Sequence, residues 1–517
     1  MRVGIRVDAS LEIGTGHLRR CMTLAAALIS KGADVRFVIR RHDTVAELAL
    51  RSAGFTVSWL DAPSSPTRRA TETVEPRHAS WAGVGWSDDA DETVEVLASF
   101  RPDWMILDHY SFDAKWHERV RQRLACEVMA IDDLADRSLS VEVLLDANFS
   151  EDHAGKYAGR LAGRCQLLGG PRFALLSTRY RTASRYEFRP DVHSIGIFMG
   201  GTDPDGVTAR VLRTCREFAG FRGTIEVVST SASPHLDQLR KACLGWANTT
   251  LSLDLPDLSA FYSRHDLQIG AGGTATYERC CLGAPTIALA VAPNQLAVIP
   301  ALDARGVLRA ARLTADPDAD ILPAAPYLGQ VIQALVADPE ARRDLSERGM
   351  SMVDARGADR VAICLLRDTL GLRRVTADDG PQLHAWRNHP TVRAVSGNGE
   401  PIPLNAHMAW LANKLADDNA RLYIAEIGGT AVGSIRFDRL DGGDTEVSLY
   451  LDPDLPGLGL GPRLLLSGEK AVTSEWAGGT GFTASVMPDN EASARLFINC
   501  GYSGGPLRFN KAVTADA

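Results

Sequence analysis

RVDASLEIGTGHLRRC, residues 6–21, decides how the chain begins. Ahead of it, Met1 to Val7 (MRVGIRV) is short, β-branched and apolar, the pattern of a buried strand. Behind it, residues 18–30 (LRRCMTLAAALIS) carry apolar side chains at helical spacing and stop at Lys31-Gly32. The loop Ile13-Gly14-Thr15-Gly16-His17 therefore lies where strand hands over to helix. Its glycines let the backbone approach a ligand, while amides at the helix start face an anion. His17 is the one ring in the loop able to take up a proton near neutral pH, which makes it a candidate general base; helix capping is the competing account. Asp8, at the strand end, is a candidate to orient the imidazole. Ser10, Gly14, Gly16 and Arg20 are candidate substrate contacts.

Further along, VRFVIR (Val35 to Arg40), FTVSWL (Phe55 to Leu60), WMILD (Trp104 to Asp108), CEVMAID (Cys126 to Asp132) and VLLDAN (Val143 to Asn148) alternate with helical stretches. That alternation predicts a doubly wound parallel sheet, with ligands at the carboxyl ends of its strands. Asp108-His109-Tyr110 and Asp132-Asp133 fall on that same rim, and Asp108, His109 and Tyr110 are candidate substrate contacts. Residues 61–92 read as a long polar loop with two tryptophans, Trp81 and Trp86, and a loop of this length points to function.

After Arg189-Pro190 the pattern restarts. HSIGIFMGGTDPDG, from His193, runs a strand into the turn Gly200-Gly201-Thr202 and a helix, Val207 to Phe218. In LQIGAGGTATYERCCLGAPTIAL, from Leu267, Gly272-Gly273-Thr274 ends a strand and opens a helix, a cradle suited to a diphosphate. Glu278, one turn into that helix, is placed to accept from a ribose, or is a solvated helix charge. Asn294 and Gln295 offer amides to the same cleft.

At 517 residues the chain needs three or four domains, and a net charge of −8 with interspersed signs favours neither nucleic acid nor an anionic membrane as partner. No run of 18 apolar residues and no signal-peptide pattern is present, so a soluble cytoplasmic protein is expected. The nine cysteines lack a C-x-x-C pair and read as reduced thiols. Without a His/Asp cluster at ligand spacing, no metal is expected.

The blocks from Arg6 to Cys21, DHY at Asp108, IDDLADR at Ile131, LLGGPRFALL at Leu167, GGTDP at Gly200, AGGTATYERCCLGAP at Ala271 and NQ at Asn294 together resemble the UDP-sugar hydrolases of pseudaminic-acid biosynthesis. The resemblance implies a glycosyltransferase-B-like pair of doubly wound domains that releases UDP from UDP-2,4-diacetamido-2,4,6-trideoxy-β-L-altrose. It further implies that His17 is the catalytic base and that Gly273, Glu278 and Asn294 lie on the UDP side.

From Leu372 the character changes. RLYIAEI, TAVGSIRF and TEVSLYL are strands joined by glycine turns, the pattern of an antiparallel meander. The meander leads to Gly457, Gly459 and Gly461 and an apolar helix, Pro462 to Val472; Asn490 and Ser493 form an N-x-x-S further on. This order resembles the acyl-CoA N-acyltransferase (GNAT) superfamily. It implies an α+β acyltransferase domain with acetyl-CoA as co-substrate, held by Leu449, Leu451, the three glycines, Asn490 and Ser493. Phe497 stands where many members carry a general-acid tyrosine, which leaves Tyr502 or solvent to protonate the thiolate. Glu446 is the candidate base, with Glu426 as an alternative.

The expected organisation is residues 1–189, 190–370 and 371–517. The expected activity is N-acetylation of the 4-amino group of a UDP-4-amino-4,6-dideoxy sugar, then hydrolysis of the diacetamido product with inversion. Substrates are then a UDP-sugar and acetyl-CoA. A UDP-sugar-dependent glycosyltransferase and a nucleotide-sugar binding module that serves the acyltransferase are the alternatives.

Overall fold

The computed structural model describes residues 1–10, 12–50, 53–63, 76–311, 324–397, 399–476, 481–505 and 508–512. The chain divides into two compact units, residues 1–29 with 33–361, and residues 30–32 with 362–517. Of the long loop 61–92, residues 64–75 lie outside the described residues. Its later part forms a short 3-10 turn, Ala79–Ala82, and the helix Trp86–Leu97.

The first unit holds two parallel sheets. One is built from β1 (Arg2–Val7), β2 (Asp34–Arg40), β3 (Thr56–Leu60), β4 (Trp104–Asp108), β5 (Glu127–Ile131), β6 (Val143–Asp146) and β7 (Gln166–Gly169), in the order β3-β2-β1-β4-β5-β6-β7. The second is built from β8 (Ser194–Phe198), β9 (Thr224–Ser229), β10 (Thr249–Leu253), β11 (Leu267–Ala271), β12 (Thr286–Leu289) and β13 (Arg309–Ala310), in the order β10-β9-β8-β11-β12-β13. In both, the direction of winding reverses beside the first strand. Reversal opens a crevice at the strand carboxyl ends, between β1 and β4 and between β8 and β11. Helices cover both faces, so the strands read as unbroken apolar runs; β4 is buried at every position. The expected doubly wound pair is present.

The second unit holds one mixed sheet of β14 (Gly371–Arg374), β15 (Ala420–Ile427), β16 (Thr430–Arg439), β17 (Asp444–Leu451), β18 (Gly481–Ala484), β19 (Ser503–Gly505) and β20 (Arg508–Ala512), ordered β14-β15-β16-β17-β18-β20-β19. Strands β14 to β17 form the expected antiparallel meander. β17 then pairs with β18 in parallel, only over Asp444–Glu446, and its remaining residues, Val447–Leu451, run on without β18. The two strands splay apart there, so part of one sheet edge keeps backbone groups available to a ligand.

Candidate functional site

The loop after β1 is closed by Gly14 N donating to Ser10 O at 2.8 Å, and Ile13 N donates to Ser10 Oγ at 3.1 Å. Gly14 takes φ +77°, where a side chain would be strained. Ser10 and Gly14 thus shape the turn. The helix Gly16–Ser30 starts at once, with His17 in its first turn.

His17 Nδ1 lies 2.6 Å from Asp108 Oδ1, at the end of β4. Arg20, one turn further along the helix, grips the same carboxylate through Nε and Nη2, each at 2.6 Å. The Asp108 side chain is fully buried, and despite the opposing effect of burial, Arg20 and His17 hold its carboxyl well below the usual range. An ionised carboxylate only accepts, which assigns the imidazole proton to Nδ1 and leaves the Nε2 lone pair for a substrate. The edge of His17 meets the Tyr110 ring at 4.7 Å, and Trp81 stands 6.4 Å from the imidazole. Trp81, from the polar loop, is therefore part of the wall around His17. Trp86, at a helix start, is 36% exposed and makes no ring contact with His17.

Two expectations on this rim need correction. Asp8 does not meet His17. Its carboxylate takes Arg6 at 2.5 and 2.9 Å, the Arg40 amide at 2.8 Å, and His42 and His109 at 3.1 Å each. Arg6 also forks onto Asp89, so Asp8 belongs to a buried ionic network beneath the loop. His109, expected to contact substrate, is 3% exposed and turned down onto Asp8, with Nδ1 accepting from Ser111 N at 3.2 Å. Asp108, fully buried, holds the imidazole, and Arg20, whose side chain keeps some exposure, holds that carboxylate. Tyr110 presents its ring to His17 while its hydroxyl donates to Asp133 Oδ1 at 2.5 Å.

In the second sheet, Gly200 takes φ +105° at the end of β8. The amides at the next helix start are already satisfied, because buried Asp203 accepts from Val207 N at 2.9 Å and Thr208 N at 3.0 Å. That turn is less open to an anion than expected, although Gly201 and Thr202 remain partly accessible. The turn Gly272-Gly273-Thr274 is different: the helix Thr274–Leu282 has no side-chain cap and follows Gly273 at φ +83°. Gln295 folds over this turn; a Cβ at Gly272 would come within 2.8 Å of its Oε1. Asn294 beside it is exposed. Glu278 is half-buried and receives the Tyr262 hydroxyl at 3.4 Å and the Tyr180 hydroxyl; burial pushes its carboxyl up, while Tyr180, Arg279 and Arg19 pull it down. It is thus a partnered acid and not a solvated helix charge.

In the second unit, Gly457 and Gly459 adopt φ +80° and +76°, and Gly459 caps the helix Leu460–Glu475. Gly461 lies in its first turn, packed so that a Cβ would touch Leu496. Leu449 and Leu451 lie on the stretch of β17 beyond β18. Glu446 stands at the last paired position, where the strands part, and accepts from Ser485 Oγ at 3.0 Å. Glu426 is tied to Arg373 at 2.8 Å. Asn490 caps the helix Glu491–Asn499 by accepting from Ser493 N at 3.1 Å, so its side-chain oxygen has a structural task. Tyr502 is also corrected: it is 4% exposed and donates to Glu469 Oε1 at 2.7 Å, and burial with that carboxylate pushes its pKa far up. Phe497 packs against it at 4.9 Å.

Among the described residues no group of three His, Cys, Asp or Glu could hold a metal ion, and no helix is long and apolar enough to cross a membrane.

Residues 369–503 match the family model for the acetyltransferase (GNAT) domain. The chain is 20% identical over 272 residues, 52% of its length, to the spore coat polysaccharide biosynthesis protein SpsG of Bacillus subtilis, covering 78% of that protein. It is 21% identical over 295 residues, 57% of its length, to the UDP-2,4-diacetamido-2,4,6-trideoxy-β-L-altropyranose hydrolase of Campylobacter jejuni, covering 93% of it. Among solved structures, an aminoglycoside acetyltransferase in complex with coenzyme A is 19% identical, with a TM-score of 0.25 over 28% of this chain and 94% of that one. The N-terminal region thus resembles nucleotide-sugar enzymes of the SpsG and UDP-sugar hydrolase kind, and the C-terminal region carries a GNAT acetyltransferase domain.

Proposed function

We propose that the chain is a bifunctional nucleotide-sugar enzyme. Its C-terminal domain transfers acetyl from acetyl-CoA to the 4-amino group of a UDP-4-amino-4,6-dideoxy sugar. Its N-terminal region hydrolyses the UDP-2,4-diacetamido-2,4,6-trideoxy-β-L-altrose so formed, a step of pseudaminic-acid biosynthesis. The observation that carries the hydrolytic half is the Asp108–His17 pair, with Nδ1 on the carboxylate and Nε2 left as base. Nε2 takes a proton from water as its oxygen attacks the anomeric carbon from the face opposite UDP. The C1–O bond breaks, UDP leaves as an anion and the sugar configuration inverts. Asp108 stabilises the imidazolium formed, and the Gly273 and Thr274 amides at the uncapped helix start hold the diphosphate. In the acetyl transfer, the splay between β17 and β18 takes the pantetheine arm. Glu446 draws the proton from the incoming ammonium, and solvent protonates the thiolate, since Tyr502 is committed to Glu469.

The test is to incubate the purified chain with acetyl-CoA and the UDP-4-amino sugar and to follow products by mass and NMR. N-acetylated UDP-sugar, then UDP and free sugar with inverted configuration, are expected. UDP formed only when an acceptor alcohol is added would establish the glycosyltransferase alternative instead.

Glu278 gives a further expected result. An acid that already accepts from two tyrosines keeps lone pairs for the ribose hydroxyls, and charge-assisted bonds contribute roughly 1.5–3 kcal/mol. Glu278→Ala is expected to raise KM for the UDP-sugar about ten- to a hundredfold, with a smaller change in kcat, because the ribose is remote from the anomeric carbon. Steady-state kinetics with UDP-sugar, and binding of UDP against 2′-deoxy-UDP, check it. An Ala variant that still discriminates ribose as well as wild type removes Glu278 from the nucleotide site.

A further inference from the structure

Arg279 follows Glu278 on the helix Thr274–Leu282, and none of its surface is exposed. Its Nη2 donates to the Ala271 carbonyl at 2.8 Å and contacts Thr276 Oγ1 at 3.2 Å. These partners belong to the end of β11 and the first helical turn, so the guanidinium lies at the root of the Gly272–Thr274 turn. Both are neutral oxygens. Nε and Nη1 make no hydrogen bond among the described residues. The Tyr262 ring lies beside it, its centroid 5.9 Å from Cζ. Room for this cation is built into the strand: a Cβ on Gly270 would collide with Arg279 Nη1.

A buried cation whose hydrogen bonds all go to neutral oxygens keeps a desolvation cost that no hydrogen-bonded counter-ion offsets in the free protein. Here it lies under an uncapped helix N-terminus, whose amides already favour negative charge. The two fields add at one place. Glu278, the neighbouring acid, accepts from the Tyr262 hydroxyl and makes no hydrogen bond to the guanidinium.

We propose that Arg279 is an anion-positioning residue, whose buried guanidinium makes the Gly272–Thr274 turn select a nucleoside diphosphate over the corresponding nucleoside. The assignment rests on the reading that a UDP-sugar occupies this turn. It adds to that reading the source of the charge that holds the leaving group. Because the guanidinium acts from beneath the backbone, its effect should follow the number of charges on the ligand and not the contacts of the base or ribose.

The experiment measures binding of UDP and UMP by calorimetry, and of uridine by saturation-transfer NMR, to the full chain and to its Arg279→Met and Arg279→Lys variants. Arg279→Met is expected to weaken UDP about tenfold or more, UMP less, and uridine little. Arg279→Lys, which keeps the charge but moves it, should fall between. Equal losses for UDP and uridine, or no loss for either, overturn the role of Arg279 while leaving the nucleotide site in place. Failure of the wild-type chain to bind UDP overturns the underlying reading, and the role of Arg279 with it. Should Arg279→Met lose its unfolding transition, Arg279→Lys decides by the same comparison.

Discussion

Replacing His17 with asparagine is expected to slow UDP release about 10²- to 10⁴-fold, the span of one positioned general base, while acetyl transfer continues at nearly the wild-type rate. The expectation follows from the arrangement on the β1–β4 rim. His17 is the imidazole with one nitrogen on a buried carboxylate and the other left for water, whereas His109 has both nitrogens engaged below the rim. Asparagine keeps a polar side chain in the first helical turn and can still cap it, so a purely structural His17 would tolerate the change. Rates of UDP formation from diacetylated substrate, set beside acetylation of the amine in the same preparation, make the measurement. Hydrolysis at the wild-type rate would return His17 to the capping role.

Asp108→Asn is expected to cost hydrolysis about as much, roughly 10²- to 10⁴-fold in kcat by analogy with triads whose acid is made an amide. An asparagine can donate to Nδ1, which places the imidazole proton on Nε2 and removes the base without removing the ring. Arg20 loses its counter-ion in the same change, so binding of UDP should be measured too; it is expected to stay near wild type. Asp8→Asn separates the two carboxylates. Asp8 anchors Arg6, His42 and His109 below the loop, and breaking a buried pair costs about 3–5 kcal/mol. Chemical denaturation should therefore show a large loss of stability for Asp8→Asn, with kcat per folded molecule little changed. A kcat loss for Asp8→Asn as deep as that for Asp108→Asn would count against Asp108 as the residue that orients the base.

What was readable in the chain itself was local. Strand-turn-helix order, the glycines that permit positive φ at positions 14, 273, 457 and 459, and the titratable ring at 17 all follow from neighbours within a few residues. So does the switch from parallel alternation to an antiparallel meander after residue 370, since a two-residue glycine turn and a helical crossover leave different patterns. The short strands β7, β10 and β13 escaped that reading, being brief or half-buried and so weakly patterned.

Which carboxylate would meet His17 was a different kind of question. Asp8 is 9 positions away in sequence and Asp108 is 91, yet the strand order sets β1 beside β4 and brings the distant one into contact. Asp108, the last residue of β4, rises to the imidazole, while His109, the next residue, turns down to Asp8. In the same way, the capping of one anion turn by Asp203, the burial of Arg279 beneath the other and the commitment of Tyr502 to Glu469 are outcomes of packing. Residue types and spacing determined that there would be a titratable loop and glycine cradles at strand ends. Only the tertiary structure, by pairing strands far apart in sequence and burying some charges without partners, decided which of those groups face a ligand and which hold the framework.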